Sequence, residues 1–198
     1  MISQKTITKP IMLLILSFIL FSASTLQAQS LKLNPKTFSM TIFGTTNVHN
    51  FQSKVTLASG GLTLNSSKQV QSLDVEIPVK SIKSNEKLMD KKTYEAFNET
   101  KYPTISFKML ETNSLQVNGE DITVTVTGNL TMAGATKKVV LKSTGKIVKP
   151  GVYEFKGSIT LKMTEYGMKP PTAMLGVMKV GDAITLKYDV TFEGASVN

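Results

Sequence analysis

The chain has 198 residues, a formal net charge of +9 and no cysteine, which excludes disulfides and thiolate chemistry and leaves stability to packing. Apart from one histidine, every basic side chain is a lysine. Because nucleic-acid recognition and bidentate phosphate binding favour arginine, we expect no nucleic-acid partner. The lysines are scattered along alternating positions, which is typical of a soluble outer face. Transient contact with an anionic membrane surface is the second interpretation.

The first 28 residues predict a secretory signal peptide. Lys5 and Lys9 precede an apolar run at residues 11–21, and small residues then lead to Ala28. The run is shorter than the roughly 20 residues of a membrane-spanning helix, which favours cleavage over a retained anchor. The remainder, residues 29–198, suits one domain, and an exported chain without disulfides indicates a periplasmic or secreted bacterial protein.

Alternation of apolar and polar residues predicts about eight strands in that domain. Short turns such as Asn118-Gly119 and Pro150-Gly151 join several of them, and Gly60-Gly61 predicts a bend or bulge inside one. Many short antiparallel strands in one domain indicate a barrel or a sandwich. The alternating segments are, in chain order, residues 38–42, 55–64, 73–79, 105–109, 124–132, 139–141, 153–161 and 184–192.

One segment, residues 84–98, has helical rather than strand periodicity. Ser84 or Asn85 is the predicted N-cap, and Tyr102-Pro103 ends the excursion because a residue before proline avoids the helical region. We expect this single amphipathic helix to close one end of a barrel. Its predicted apolar face consists of Leu88, Met89, Thr93, Ala96 and Phe97.

Catalytic chemistry has little support in the sequence. His49 is the only histidine, and it is a base, a metal ligand or a polar group satisfied at a strand end. A zinc site would need further histidine or cysteine ligands, and neither a phosphate-binding glycine loop nor a nucleophile elbow occurs. The sequence therefore predicts a protein that is not an enzyme and has no cofactor, with an enzyme acting through His49 as a weaker alternative.

The loop between the last two predicted strands is unusually apolar. It contains Tyr166, Met168, Pro170-Pro171 and Met174, where an ordinary hairpin needs only a few polar residues. Methionine suits adaptable apolar surfaces, so this loop predicts contact with an apolar partner. An eight-stranded barrel is just wide enough inside to be filled by side chains or to hold one small ligand.

Five segments stand out together, at residues 45–51, 101–107, 128–137, 163–171 and 181–182. Taken in chain order, they resemble the YceI-like family of bacterial polyisoprenoid-binding proteins. The resemblance covers nearly all of residues 29–198, although Phe51 stands where an aromatic residue, often tryptophan, is usual, and Met168 stands where isoleucine or leucine is common. It implies an extended lipocalin-like antiparallel barrel with a helix over one end and an apolar tunnel for a polyisoprenoid. The segments are TTNVHNF (45–51), KYPTISF (101–107), GNLTMAGATK (128–137), MTEYGMKPP (163–171) and Gly181-Asp182.

These observations lead to a hypothesis of an exported carrier for a long-chain isoprenoid or similar amphiphilic lipid. The alternative is an envelope structural or stress-related interaction module with a filled barrel. The predicted tail-binding residues face inward: Phe38, Met40, Val75, Ile77, Phe107, Met109, Val126, Phe155, Leu161 and Tyr188. The predicted mouth or headgroup residues are His49, Tyr94, Phe97, Tyr166, Met168 and Met174.

Overall fold

The computed structural model describes residues 28–65 and 67–194, which form strands, one α-helix and three short 3₁₀ turns. The predicted signal peptide lies outside the described residues except for Ala28, so it stays a prediction. In the described part, no helix is long and apolar enough to cross a membrane. The strands are β1 (Gln29–Leu33), β2 (Ser39–Thr46), β3 (Asn50–Val55), β4 (Ser59–Leu64), β5 (Val70–Pro78), β6 (Ile82–Lys83), β7 (Thr104–Asn118), β8 (Asp121–Met132), β9 (Ala135–Lys149), β10 (Val152–Lys162), β11 (Thr172–Ala173) and β12 (Met178–Glu193).

Eight of these strands close into an antiparallel barrel, as predicted. The ring runs β1–β4–β5–β7–β8–β9–β10–β12, and pairing of β12 with β1 completes it. Inward and outward residues alternate along each strand, so the apolar residues meet inside. The described part of the chain thus confirms an all-β barrel with one helix.

We call each of the eight strand positions around the barrel a stave. The two staves formed by residues 29–64 are each divided into two strands. β1 pairs with β4, and β2 pairs with β3, so residues 29–64 form one long, interrupted hairpin. β2 pairs with β12 at residues 180–189, next to the part of β12 that pairs with β1. β3 pairs with the short β6. The break between β3 and β4 falls at residues 56–58, where the Leu57 carbonyl accepts a hydrogen bond from the Ser81 hydroxyl instead of from a neighbouring strand.

The predicted bend at Gly60-Gly61 is wrong. Both glycines lie inside β4 and pair regularly with Val75 and Asp74 of β5. A Cβ at Gly60 would lie 2.5 Å from the Asp74 carbonyl oxygen, so glycine here permits a close approach of two strands rather than a bend.

The helix α1 (Lys87–Phe97) lies in the connection between the C-terminal end of β5 and the N-terminal end of β7. Phe97 is buried and Tyr94 and Ala96 pack against the core, but Leu88 is 56% exposed, so its predicted place on the apolar face is wrong. The N-cap is Glu86 rather than the predicted Ser84 or Asn85, and Ser84 donates both its N–H and its hydroxyl to Asp90. The helix ends at Asn98, which adopts a left-handed conformation with φ of 50°.

Candidate ligand-binding cavity

An apolar cavity of about 160 Å³ lies along the interior of the barrel. Residues from all eight strands of the ring and from α1 line it, because most inward positions of these strands are apolar. Among the described residues, Ser143 and Tyr188 contribute the only polar side-chain oxygens to the lining. The cavity can therefore hold hydrocarbon but offers few partners to a polar ligand.

Most of the predicted interior residues do lie on this cavity. The exceptions are Phe38 and Met109, which pack against the core without reaching the cavity. A role in binding stays a prediction for all of them. The lining members are Met40, Val75, Ile77, Phe107, Val126, Phe155, Leu161 and Tyr188.

The predicted mouth residues are not gathered at one place. Phe97 reaches the cavity from α1. The Tyr94 hydroxyl instead accepts a hydrogen bond from Lys83 and lies near the Lys80 and Ile82 carbonyls, so it anchors the helix. Tyr166 and Met168 are buried but do not line the cavity, and His49 is exposed. The Met174 side chain lies outside what the structure describes.

His49 occupies the exposed turn between β2 and β3. Its backbone N–H donates to the Thr46 hydroxyl at 3.0 Å, and its carbonyl accepts from Thr46 at 2.8 Å. Across residues 28–65 and 67–194, no three histidine or acidic side chains converge on a common point suited to a metal ion. The arrangement gives His49 a role in shaping a turn.

The hydroxyl groups of Tyr188 and Ser143 lie together in the lining of the cavity. Their hydroxyl oxygens are 2.7 Å apart, although the two residues lie on strands that are not neighbours. The Tyr188 ring crosses β10 at Gly157, where the absence of a side chain makes room for it. Burial raises the pKa of the Tyr188 phenol, and the hydrogen bond with Ser143 opposes that rise only in part.

Asp182 holds the turn that follows β10, and the sequence does not reveal this role. Asp182 accepts hydrogen bonds from the backbone N–H of Thr164 at 2.9 Å and from its hydroxyl at 2.7 Å. These bonds hold the pKa of the Asp182 carboxyl below its usual value. The turn, Met163–Tyr166, places Tyr166 at 2% exposure, and the Tyr166 hydroxyl has no hydrogen-bond partner among the described residues.

Two buried tyrosines and one partly buried tyrosine predict that the barrel is weakened at alkaline pH. Burial raises the pKa of Tyr153, Tyr166 and Tyr188 above the ordinary value of 10.0. Above pH 10 the unfolded chain loses these protons while the folded barrel retains them, so the free energy of unfolding falls as pH rises. Urea denaturation at pH 8 and at pH 10.5 measures the fall. The Y153F/Y166F/Y188F variant should show a shallower fall, and an unchanged slope in that variant would contradict the explanation.

The apolar loop of residues 167–177 divides into a buried and an exposed part. Met168 is buried, whereas Val177 is 69% exposed and Leu175 is fully exposed in a left-handed conformation. The Asn47 side chain donates to the Val177 carbonyl and accepts from the Lys179 N–H, which ties this loop to the β2–β3 turn. Val48 on that turn is also exposed, so the two loops that Asn47 ties together carry three exposed apolar side chains.

The wall of the barrel is incomplete between β9 and β10. Backbone pairing of these strands stops at Ser143 and Gly157, although β9 begins at Ala135 and β10 continues to Lys162. We call the space between residues 135–142 and 158–162 the β9–β10 gap. The turn Met163–Tyr166 lies at the end of the gap next to Lys162, beside β9, β10 and β12.

Comparisons with known proteins agree with the architecture. The profile of the YceI-like domain matches residues 23–192. A UPF0312 protein of Pseudomonas syringae pv. tomato is 32% identical over 133 residues, which are 64% of this chain and 63% of that protein. The chain thus covers less than two thirds of the length of that curated relative.

Two solved structures share the fold at low sequence identity. A polyisoprenoid binding domain from Saccharophagus degradans, described as implicated in plant cell wall breakdown, superposes with a TM-score of 0.66 at 12% identity, covering 84% of this chain and 99% of that one. BcnA of Burkholderia cenocepacia gives a TM-score of 0.63 at 17% identity, covering 80% and 98%.

Proposed function

The chain belongs to the family of YceI-like domains, and we propose that it is an exported carrier that holds the tail of a long-chain, polyisoprenoid-like lipid inside the barrel. The observation that carries the proposal is the continuous apolar cavity. A hydrocarbon tail gains about 0.8 kcal/mol for each CH₂ that it buries, so binding needs no catalytic group. The structural likeness to a polyisoprenoid binding domain supports the same class of ligand.

The size of the cavity limits how the tail is held. Its volume of about 160 Å³ is close to the roughly 150 Å³ that accepts a benzene molecule, and below the roughly 300–1,000 Å³ of drug-sized sites. A long tail therefore requires side chains of the lining to move or part of the tail to remain outside. Met40 and Met132 line the cavity, and methionine adapts its shape at low cost.

Export is part of the proposal. The order of charged, apolar and small residues in positions 1–28 supports a cleaved signal, and delivery to the periplasm or outside the cell would follow. The absence of cysteine is compatible with either compartment. Mass spectrometry of the protein secreted or released from its native envelope tests this, since a cleaved protein should begin near Gln29.

An interaction module is the second candidate function. The exposed apolar cluster of Val48, Leu175 and Val177, on two loops that Asn47 ties together, favours it, because exposed apolar patches mark sites of contact. A module with a filled barrel fits the structure less well than the carrier does, since the interior contains a cavity. Contact of this cluster with an anionic membrane is compatible with either function.

The carrier is tested by identifying what the native protein contains. Purified from its own envelope without detergent and extracted with organic solvent, the protein should release a long-chain lipid at close to one molecule per chain, measured by mass spectrometry. An unrelated exported protein purified in parallel is the control for adhering lipid. Repeated recovery of the protein without any long-chain lipid would rule out the carrier.

A further inference from the structure

The β9–β10 gap begins where the regular pairing of the two strands ends. Paired residues of β9 and β10 run regularly from Tyr153 and Ile147 to Gly157 and Ser143. If the same register continued beyond Gly157 and Ser143, it would place Lys138 opposite Lys162 on the outer face. Two like charges directly opposite each other make such a pairing less favourable.

The apolar cavity extends into this gap. Val139 and Leu141 of β9 and Ile159 and Leu161 of β10 line the cavity, yet all four are only half-buried. Leu62 of β4, which faces the gap from across the barrel, is only 2% exposed. Apolar, partly accessible side chains therefore line the cavity on both margins of the gap.

The interior cannot accept an anion. Transfer of an unpaired charge into an apolar medium is strongly unfavourable, and the lining offers only the Ser143 and Tyr188 hydroxyls, which already bond to each other. An ionised headgroup attached to a buried tail must therefore stay at the surface, next to the opening through which the tail passes.

The surface beside the gap is cationic. Lys138, Lys142 and Lys162 are exposed on its two margins, and β9 carries five lysines and no acidic residue. Within residues 28–65 and 67–194, none of these three lysines forms a salt bridge, although Lys162 lies near enough to Asp182 to lower the pKa of that carboxyl. Lysine ammonium groups attract a carboxylate or phosphate as point charges.

We propose that the β9–β10 gap is the binding and exchange site for an amphiphile with an anionic headgroup. The tail passes sideways between the strands into the cavity, and the carboxylate or phosphate rests outside on Lys138, Lys142 and Lys162. This inference rests on the proposed carrier function and specifies its ligand class and route. The gap also provides the room for the barrel to widen around a tail larger than the empty cavity.

A reversible disulfide across the gap tests the route. The chain has no native cysteine, so the V140C/T160C variant, which places cysteines at positions that the continued register would bring together, forms a single bond that closes the gap. The probe is cis-parinaric acid, a polyene carboxylic acid whose fluorescence rises in apolar surroundings. Oxidation should slow its association at least tenfold in stopped-flow measurements, and reduction should restore the rate.

A matched pair of cysteines controls for the effect of a disulfide as such. The K146C/E154C variant joins the same two strands where they are already paired, and its net charge is unchanged. Oxidation of this variant should leave the association rate within twofold of the parent. Equal rates for the oxidised V140C/T160C variant and the parent would overturn the route and leave passage at the helix end of the barrel.

The lysines are tested separately with the same tail in two charge states. The K138Q/K142Q/K162Q variant should bind cis-parinaric acid at least fivefold more weakly and should bind its uncharged methyl ester as the parent does. The control variant K32Q/K54Q/K108Q removes three lysines from other strands and should bind both probes normally. Equal loss for acid and ester, or equal effects of the two variants, would overturn the headgroup site. If the parent takes up neither probe, the carrier function itself has failed.

Discussion

Replacing Val126 with tryptophan should abolish uptake of a long-chain lipid while the barrel stays folded. Val126 faces the cavity from β8 and is 4% exposed, so the larger indole occupies the space that a tail needs. We expect affinity to fall about 100-fold, equivalent to about 2.8 kcal/mol. The free energy of unfolding should fall by about 1–3 kcal/mol, because an added side chain in a packed interior forces its neighbours to move. Fluorescence titration with cis-parinaric acid and urea denaturation measure the two effects.

The same substitution on the outer face provides the control. Val148 lies on β9, away from the β9–β10 gap, and is 50% exposed. V148W should bind the probe with the affinity of the parent. If V126W were folded and bound the probe equally well, the ligand would have to lie outside the cavity, on a surface such as that around Val48 and Leu175.

Replacing Gly157 with alanine should lower the free energy of unfolding by about 3 kcal/mol. A Cβ at this position would overlap the Tyr188 ring and would lie 2.8 Å from the Lys142 carbonyl oxygen, which belongs to a backbone that cannot easily retreat. Relief of the overlap requires the ring to leave Gly157, and that movement breaks its hydrogen bond with Ser143. The change in the midpoint of urea denaturation measures the loss.

Gly61 is a suitable reference for this substitution. It also lies in a strand with ordinary backbone angles, but the nearest atom to an added Cβ is a side-chain oxygen of Asp74 at 3.2 Å, and that side chain can turn away. G61A should change the free energy of unfolding by less than about 1 kcal/mol. Similar losses in the two variants would show that the ring and backbone contacts at Gly157 are not responsible.

The barrel could be predicted because its signal is local. Alternation such as Leu73, Val75 and Ile77 states which face of a strand is buried, and this pattern recurs in each of the eight staves. Since the inward face of each stave also borders the cavity, the same alternation predicts most of the cavity lining. The strand ends are harder to predict, since β7 continues to Asn118 through a run of polar residues that pairs with β8.

The features that define the site depend on which strands become neighbours. The Ser143–Tyr188 hydrogen bond joins residues from β9 and β12, and the Asp182–Thr164 bonds join two ends of a loop. Nothing in either sequence segment marks these partners. The β9–β10 gap is similar, because the end of pairing between two strands becomes visible only when their register is known.

The helix shows the limit of periodicity as a guide to burial. Leu88 has the spacing of a core residue, yet it lies in the first turn, before the helix reaches the barrel. Tyr94 is predicted at a mouth, but its hydroxyl is directed to the backbone of residues 80–82. Residue type and spacing predict an amphipathic helix correctly without predicting which of its residues meet the barrel.

The last joint of the ring, between β12 and the strands β1 and β2, has a consequence for how the chain folds. Tyr188 pairs with Met40 and Phe192 with Leu33, so the two ends of the domain meet. Contacts between such distant parts of a chain carry a large entropic cost of loop closure, and proteins dominated by them fold slowly. A ribosome must release nearly the whole chain before this joint can form. A newly made chain therefore cannot close its barrel until nearly all of residues 29–193 have been synthesised.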